Sequence, residues 1–312
     1  MTADPSENSD ARLRALVDQT GAALPKETRA KLTQLIGQAD HARPVQVRAI
    51  HHLACSGGTL MSRAIAAHAG VVLLSEIDPF GDMTMQNHTY APTDMIKAAR
   101  KTSRGLSEAG ITAMFTGALT GLQADLQAQG QYLVLRDHSH SHFCTDTPPD
   151  SRPLMGDVLR ANFETRHVVT VRHPLDCFLS LSSNGWIRFT PDTLDEYARR
   201  HHAFLDAYAD VPICYYEHFA SDPDATLQDI LTLLEIPFTP LWRDFLGLQV
   251  LSGDSGRKSD DIALRPRRDI PNEVATACRD SPFYVSLCAR LHYDPDPNAS
   301  PLPKGGVGVT AD

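Results

Sequence analysis

The sequence predicts a three-layer α/β/α domain around a central parallel sheet of about five strands. Three observations carry that expectation. Short apolar runs at residues 45–53, 71–77, 132–135, 167–171 and 211–216 are the length of buried strands. Helical stretches, such as 60–69, 194–208 and 227–234, separate them in the order β-α-β-α. The runs are continuously rich in Val, Leu and Ile rather than alternating, which suits a parallel sheet covered on both faces.

Along the chain, residues 11–39 carry Leu13, Leu16, Val17, Leu32, Leu35 and Ile36 at helical spacing, broken around residues 21–25, so 1–44 reads as a helical extension of two short helices. The core domain spans 45–293. Residues 93–129 read as mostly helix and as an insertion covering the active face. Asp222 as N-cap with Pro223 at the first helical position opens a helix whose Leu227, Ile230, Leu231 and Leu234 face the core. The tail 294–312 is rich in Pro, Gly and polar residues and is expected to be disordered.

The 312 residues are 42% hydrophobic and 21% charged, ordinary for a soluble protein, and no run is long enough to span a membrane. The first ten residues show neither a secretory nor a transit signal, so a cytoplasmic protein is expected. Six cysteines without CxxC spacing imply no disulfide framework. A net charge of −9 argues against nucleic-acid binding, and any anionic ligand needs a local basic pocket.

The first such pocket is "CSGGT", where an apolar run meets a helix start. Unpaired N–H groups and the positive end of a helix dipole favour an anion there. Gly57 and Gly58 would let backbone approach it, the hydroxyls of Ser56 and Thr59 would add hydrogen bonds, and Arg63 lies within reach in the first turns of the helix. The layout is P-loop-like, yet the lysine of a nucleotide hydrolase is missing. By itself the tetrapeptide is equally an ordinary strand-to-helix turn.

"HVVTVRHPLDCFLSLSSNGW" decides the context: a buried strand ends in Arg172-His173-Pro174, Asp176 follows, and Ser180 stands eight residues after the Arg. This pattern resembles the 3′-phosphate motif of the sulfotransferases that use 3′-phosphoadenosine 5′-phosphosulfate (PAPS), whose SG-containing loop grips the 5′-phosphosulfate. "SEIDPF", "YYEHF" and "SGDSGRKS" also resemble segments of bacterial members, in family order, between about residues 47 and 268. The resemblance implies a P-loop NTPase-like fold, with Ser56, Gly57, Gly58 and Thr59 on the 5′-phosphosulfate. It puts Arg172, Ser180, Arg257 and Lys258 on the 3′-phosphate, with Ser259 standing where the family has Gly.

Many members carry Lys or Arg just before the SG, where this chain has Cys55. Arg63 or Arg136 must then supply that charge for an active enzyme, and Arg136 is the expected one. "YLVLRDHSHSHFC" ends the third apolar run in Arg136-Asp137-His138, which resembles the family's Lys-x-His with Arg for Lys. A His near its free pKa suits removal of a hydroxyl proton. His138 is therefore expected to be the base and Arg136 the charge clamp.

Competing readings remain open at this stage. His138, His140 and His142 would share one face of an extended chain and could bind zinc, although no further ligand cluster is visible and a packed structural role for His140 and His142 is the commoner outcome. His51, His52, His201 and His202 read as packed residues, Asp176 as a cap for the helix carrying Ser180, and residues 184–192 as an edge of the acceptor pocket. The function expected is sulfuryl transfer from PAPS to an acceptor hydroxyl or amine without a metal, releasing adenosine 3′,5′-bisphosphate. Sugar, lipid headgroup and aromatic alcohol all remain possible acceptors. The alternatives are an ATP-dependent small-molecule kinase and a nucleotide-binding protein that has lost catalysis.

Overall fold

The computed structural model describes residues 46–81, 95–100, 102–249, 251 and 262–304. The expected extension at 1–44 and the pair Arg257-Lys258 lie outside the described residues. Five strands, β1 (Gln46–His51), β2 (Val71–Ile77), β3 (Tyr132–Asp137), β4 (Glu164–Val171) and β5 (Ile213–Tyr215), form one all-parallel sheet in the order β2-β3-β1-β4-β5. Helices flank it, as the continuous apolar runs predicted.

The central strand owes its position to its side chains, since Val47, Ala49 and Ile50 are all fully buried between the two helical layers. From β1 the chain skips to β2, returns to β3 on one side of β1, then crosses to β4 on the other. Such a reversal opens a crevice at the carboxyl ends of the strands, where ligands bind in open parallel sheets.

On one face, helix α1 (Gly58–Ala66) packs Leu60, Met61 and Ile65 against Leu227, Ile230 and Leu231. These come from the helix Pro223–Leu233, whose N-cap Asp222 accepts from Ala225 N at 3.1 Å. Each such side chain contributes about 1.5–3 kcal/mol by leaving water.

On the other face, between α2 (Met95–Arg100) and β3, helix α3 (Glu108–Ala128) presents Ile111, Phe115, Leu119 and Leu126 to Val47, Ala49, Leu133 and Leu135. This corrects the expectation for residues 93–129: α3 is the crossover from β2 to β3 and covers the sheet rather than the active face, because its apolar positions recur at helical spacing and find the strands.

Three further helices matter for the site: α4 (Ser139–Phe143), α5 (Met155–Asn162) and α6 (Pro174–Ser183). They are followed by α7 (Leu194–Ala207), α8 (Tyr216–Ser221), α9 (Pro223–Leu233) and α10 (Trp242–Phe245). Last come α11 (Asn272–Asp280) and α12 (Pro282–Arg290). The segment after α12 also departs from expectation. Up to Lys304 it is laid against the body: Tyr293 and Pro297 are buried, and the Pro295 carbonyl accepts from Tyr284 Oη at 3.3 Å. All six cysteines are free, and no helix among the described residues is long and apolar enough to cross a membrane.

Candidate active site

The carboxyl ends of β1, β2, β3 and β4 converge on the turn between β1 and α1. Gly57 adopts φ 82°, ψ 3° and precedes the first helical residue, so the first N–H groups of α1 point out of the sheet end. The reason for two glycines differs from the expected one. A Cβ at Gly57 would overlap the ring of Tyr216, and a Cβ at Gly58 the ring of His52. The glycines admit two flanking rings, and the helix terminus remains available to an anion. Ser56 is 2% exposed and its hydroxyl donates to the Leu53 carbonyl at 2.9 Å, so its proton shapes the turn.

Arg136, at the end of β3, reaches this loop. Its guanidinium donates to Thr59 Oγ1 at 2.8 Å, Ser75 Oγ at 2.8 Å and His52 Nε2 at 2.7 Å. It also pairs with Glu76 Oε1 at 2.8 Å. His52 can accept because burial, and then the Arg136 charge, push it down to about 3, while its Nδ1 proton goes to the Leu53 carbonyl. The ring is thus neutral and its tautomer fixed.

The sequence reading had no role for Glu76. Its Oε2 lies 3.0 Å from His138 Nε2, so one carboxylate joins Arg136 and His138, the expected clamp and base. Glu76 stands at φ 60°, where β2 shifts register against β3, and Cys55 stands at φ 67°. Non-glycine residues in that region cost about 1 kcal/mol or more and persist where their surroundings over-determine them. The available signal was an acid at the end of an apolar run in "SEIDPF"; its partner required knowing that β3 lies beside β2.

The chain turns into α4 directly after His138, so the extended arrangement needed for a three-histidine zinc site does not form. His140 and His142 are buried, and among the described residues no group of three or more ligating side chains is disposed to hold a metal. Asp137 points to the opposite face of β3, accepting from His51 Nδ1 at 2.8 Å, Ser139 Oγ at 2.7 Å and Tyr208 Oη at 3.0 Å. It is structural, as the packed reading of His51 implies.

Arg63 is not part of the constellation. Its guanidinium donates to the carbonyls of Gln249 at 2.8 Å and Leu246 at 3.0 Å, tying α1 to the segment after α10.

On the other side of the loop, Arg172 leaves the end of β4 and lies over the Tyr216 ring at 5.0 Å, the same ring that covers Gly57. It donates to the Cys55 carbonyl at 3.5 Å, its remaining hydrogen-bond partner among the described residues. Burial lowers the guanidinium, but Cys177, Asp176, Tyr216 and Glu217 outweigh it and hold Arg172 above its ordinary value, hence always charged. Ser180 and Asn184, one turn apart on the same face of α6, approach the Cys55 thiol, with Asn184 Nδ2 3.9 Å from Sγ. Burial pushes that thiol up. Cys55 thus faces the Arg172 and Ser180 side of the loop.

Asp176 is not the helix cap. His173 Nδ1 accepts from Leu175 N at 3.3 Å, and Asp176 instead binds Arg267 at 3.0 Å. Glu217, beneath this turn, accepts from His173 N at 2.9 Å and Tyr293 Oη at 2.6 Å, and burial pushes its carboxyl up to about 7. Both contacts were invisible in sequence because the partners lie far along the chain.

A sulfotransferase family model matches residues 50–240. Among solved structures, the sulfotransferase domain of the Synechococcus PCC 7002 olefin synthase is 18% identical, covering 82% of this chain and 97% of that one at a TM-score of 0.48. The sulfotransferase domain from the curacin biosynthetic pathway is 16% identical over 80% and 97% at 0.45. A sulfotransferase from Alicyclobacillus acidocaldarius is 13% identical over 81% and 97% at 0.43. No curated protein matches the chain in sequence.

Proposed function

The chain belongs to the sulfotransferase family, and from that premise we propose that it moves a sulfuryl group from PAPS to an acceptor hydroxyl or amine by direct in-line transfer. One observation carries the choice of donor: the loop before α1 and the pair Arg172 and Ser180 meet at Cys55. A donor with phosphates at both ends of an adenosine needs two anion sites beside one loop. Arg172 is a half-buried cation with one long hydrogen bond, and such a charge is poorly satisfied until an anion arrives.

In this reading the N-terminus of α1, with Gly57, Gly58 and Thr59, receives the 5′-phosphosulfate, and Arg172 with Ser180 receives the 3′-phosphate. Arg257 and Lys258 join them on the family resemblance alone. PAPS supplies an electrophilic sulfuryl group on a good leaving phosphate. Arg136, which touches Thr59, supplies the cation that Cys55 lacks, stabilising charge as it develops on the leaving oxygen.

Proton removal falls to His138. With Nε2–H directed to Glu76, Nδ1 is the accepting nitrogen, and it has no partner among the described residues. A second reading makes Glu76 the base, favoured because His138 Nδ1 is buried while the Glu76 side chain is 22% exposed. Glu76→Gln and His138→Gln separate them: full activity in His138→Gln with loss in Glu76→Gln assigns the role to Glu76.

The donor is tested by thermal unfolding with adenosine 3′,5′-bisphosphate and with Mg-ATP. Stabilisation by the bisphosphate at lower concentration is expected, and preference for Mg-ATP overturns the reading in favour of a kinase. Labelled PAPS incubated with a cell extract then identifies the acceptor; bisphosphate binding without transfer to any acceptor marks a protein that has lost catalysis.

A further inference from the structure

Helix α10 and the 3₁₀ turn Leu246–Leu248 that follows it form one short element with two separate apolar faces. Trp242 and Leu246 are buried, in the same core cluster as Leu60, Met61 and Ile65 of α1. Leu241, Phe245 and Leu248, at spacing i, i+4 and i+7, share a second face and are 58%, 47% and 73% exposed. Among the described residues no other element exposes three large apolar side chains. Single exposed apolar residues are ordinary, whereas several on one face mark an interaction surface. The element is firmly held, since Arg63 of α1 donates to the carbonyls of Leu246 and Gln249.

We propose that this face is the docking surface for residues 11–39 of the same chain, laid across α10 through their apolar positions. Leu13, Leu16, Val17, Leu32, Leu35 and Ile36 recur at helical spacing, and such a stripe gains by leaving water only against another apolar surface. Charge favours the pairing. Residues 11–39 hold five basic and two acidic residues in a chain of net charge −9, whereas residues 222–248, which include α9 and α10, hold five acidic and one basic.

The tether reaches. Gln46, the first described residue, donates Nε2 to Glu235 Oε2 at 2.6 Å, and Leu241 follows Glu235 by six residues, at most about 20 Å of extended chain. Residues 40–45 supply a connection of the same length, also about 20 Å. Two other occupants fit less well. Residues 250–261 have Val250 and Leu251 as their only large apolar side chains, too few to cover three. A second copy placed face to face would bring its own acidic surroundings against this acidic surface, which opposes association.

The test is amide hydrogen exchange of the full chain, read by mass spectrometry. In the wild type, residues 11–39 should exchange about tenfold more slowly than in Phe245→Asp/Leu248→Asp, while the five strands exchange alike in both. The reciprocal variant Leu32→Asp/Leu35→Asp should speed exchange at residues 241–248, and it keeps the proposal open to refutation if the first variant does not fold. Equal exchange of residues 11–39 in the wild type and Phe245→Asp/Leu248→Asp, or unchanged exchange at 241–248 in the reciprocal variant, overturns the docking. Light scattering should give a monomer throughout; a wild-type dimer that dissociates in Phe245→Asp/Leu248→Asp overturns it in favour of a second copy on the same face.

Discussion

Two arginines flank the same loop and are built in opposite ways. Arg136 is 3% exposed and engaged by His52, Thr59, Ser75 and Glu76, so its geometry is set before any ligand arrives. Arg172 rests on an aromatic ring and donates one 3.5 Å hydrogen bond, so most of its donors wait for a partner. A group that must stabilise charge appearing during a reaction works best when already oriented. A group that recognises a charge already present in the ligand gains more when its donors remain unused. The first kind of site is part of the fold; the second is completed by what binds.

The largest expected effect tests the first half of this contrast. Arg136→Ala should lower turnover by about 10²- to 10³-fold, and should also destabilise the chain by about 3 kcal/mol by leaving Glu76 without its buried partner. Steady-state kinetics and denaturant unfolding check the two together, and a normal turnover would remove Arg136 from the chemistry.

Arg172→Ala should weaken adenosine 3′,5′-bisphosphate about a hundredfold while leaving the melting temperature unchanged or raised. Calorimetric titration and thermal unfolding read both quantities. A fall in stability as large as that of Arg136→Ala would erase the distinction between the two arginines.

The two sides should also titrate in opposite senses. His52 and His140, pushed by burial from 6.5 down to about 3, give stability that is complete above about pH 6.5 and lost as pH falls. Glu217, raised by burial from 4.5 to about 7, holds its proton more tightly in the native state, so its contribution is present below about 4.5 and lost as pH rises to about 7. Between pH 7 and pH 5, Glu217→Gln should therefore lose more of its melting temperature than the wild type, by roughly 3 °C. Parallel melting curves for the two would mean that Glu217 is not the opposing group.

The smallest effect belongs to a control outside both regions. Asp222→Ala, which removes the cap of α9, should cost about 1 kcal/mol of stability and leave nucleotide affinity unchanged.

Much of the fold was legible because it rests on local pattern. The apolar runs became the five strands with their ends shifted by a few residues, and Asp222-Pro223 opens its helix as read. Two expectations failed where composition or position was taken for placement: within residues 93–129, α3 proved to be a crossover helix on the sheet, and the Pro-rich stretch 294–304 is held by Tyr284, Arg267 and Lys304. In the site, Arg136, His138 and Arg172 were legible as residues at the ends of strands, and Ser180 by its spacing from Arg172, although it lies in the last turn of α6 and not at a helix start. Glu76 was not, nor was the diversion of Arg63 to Gln249 and Leu246, or of Asp176 to Arg267.

The sequence by itself determined where strands and helices form and which charged residues stand at their ends, because periodicity, caps and turns act between residues close in the chain. Only the tertiary structure decided which of those ends meet. The order β2-β3-β1-β4-β5 sets Glu76 beside Arg136 and brings Arg172 to Cys55, and such contacts depend on packing between segments that no local pattern encodes.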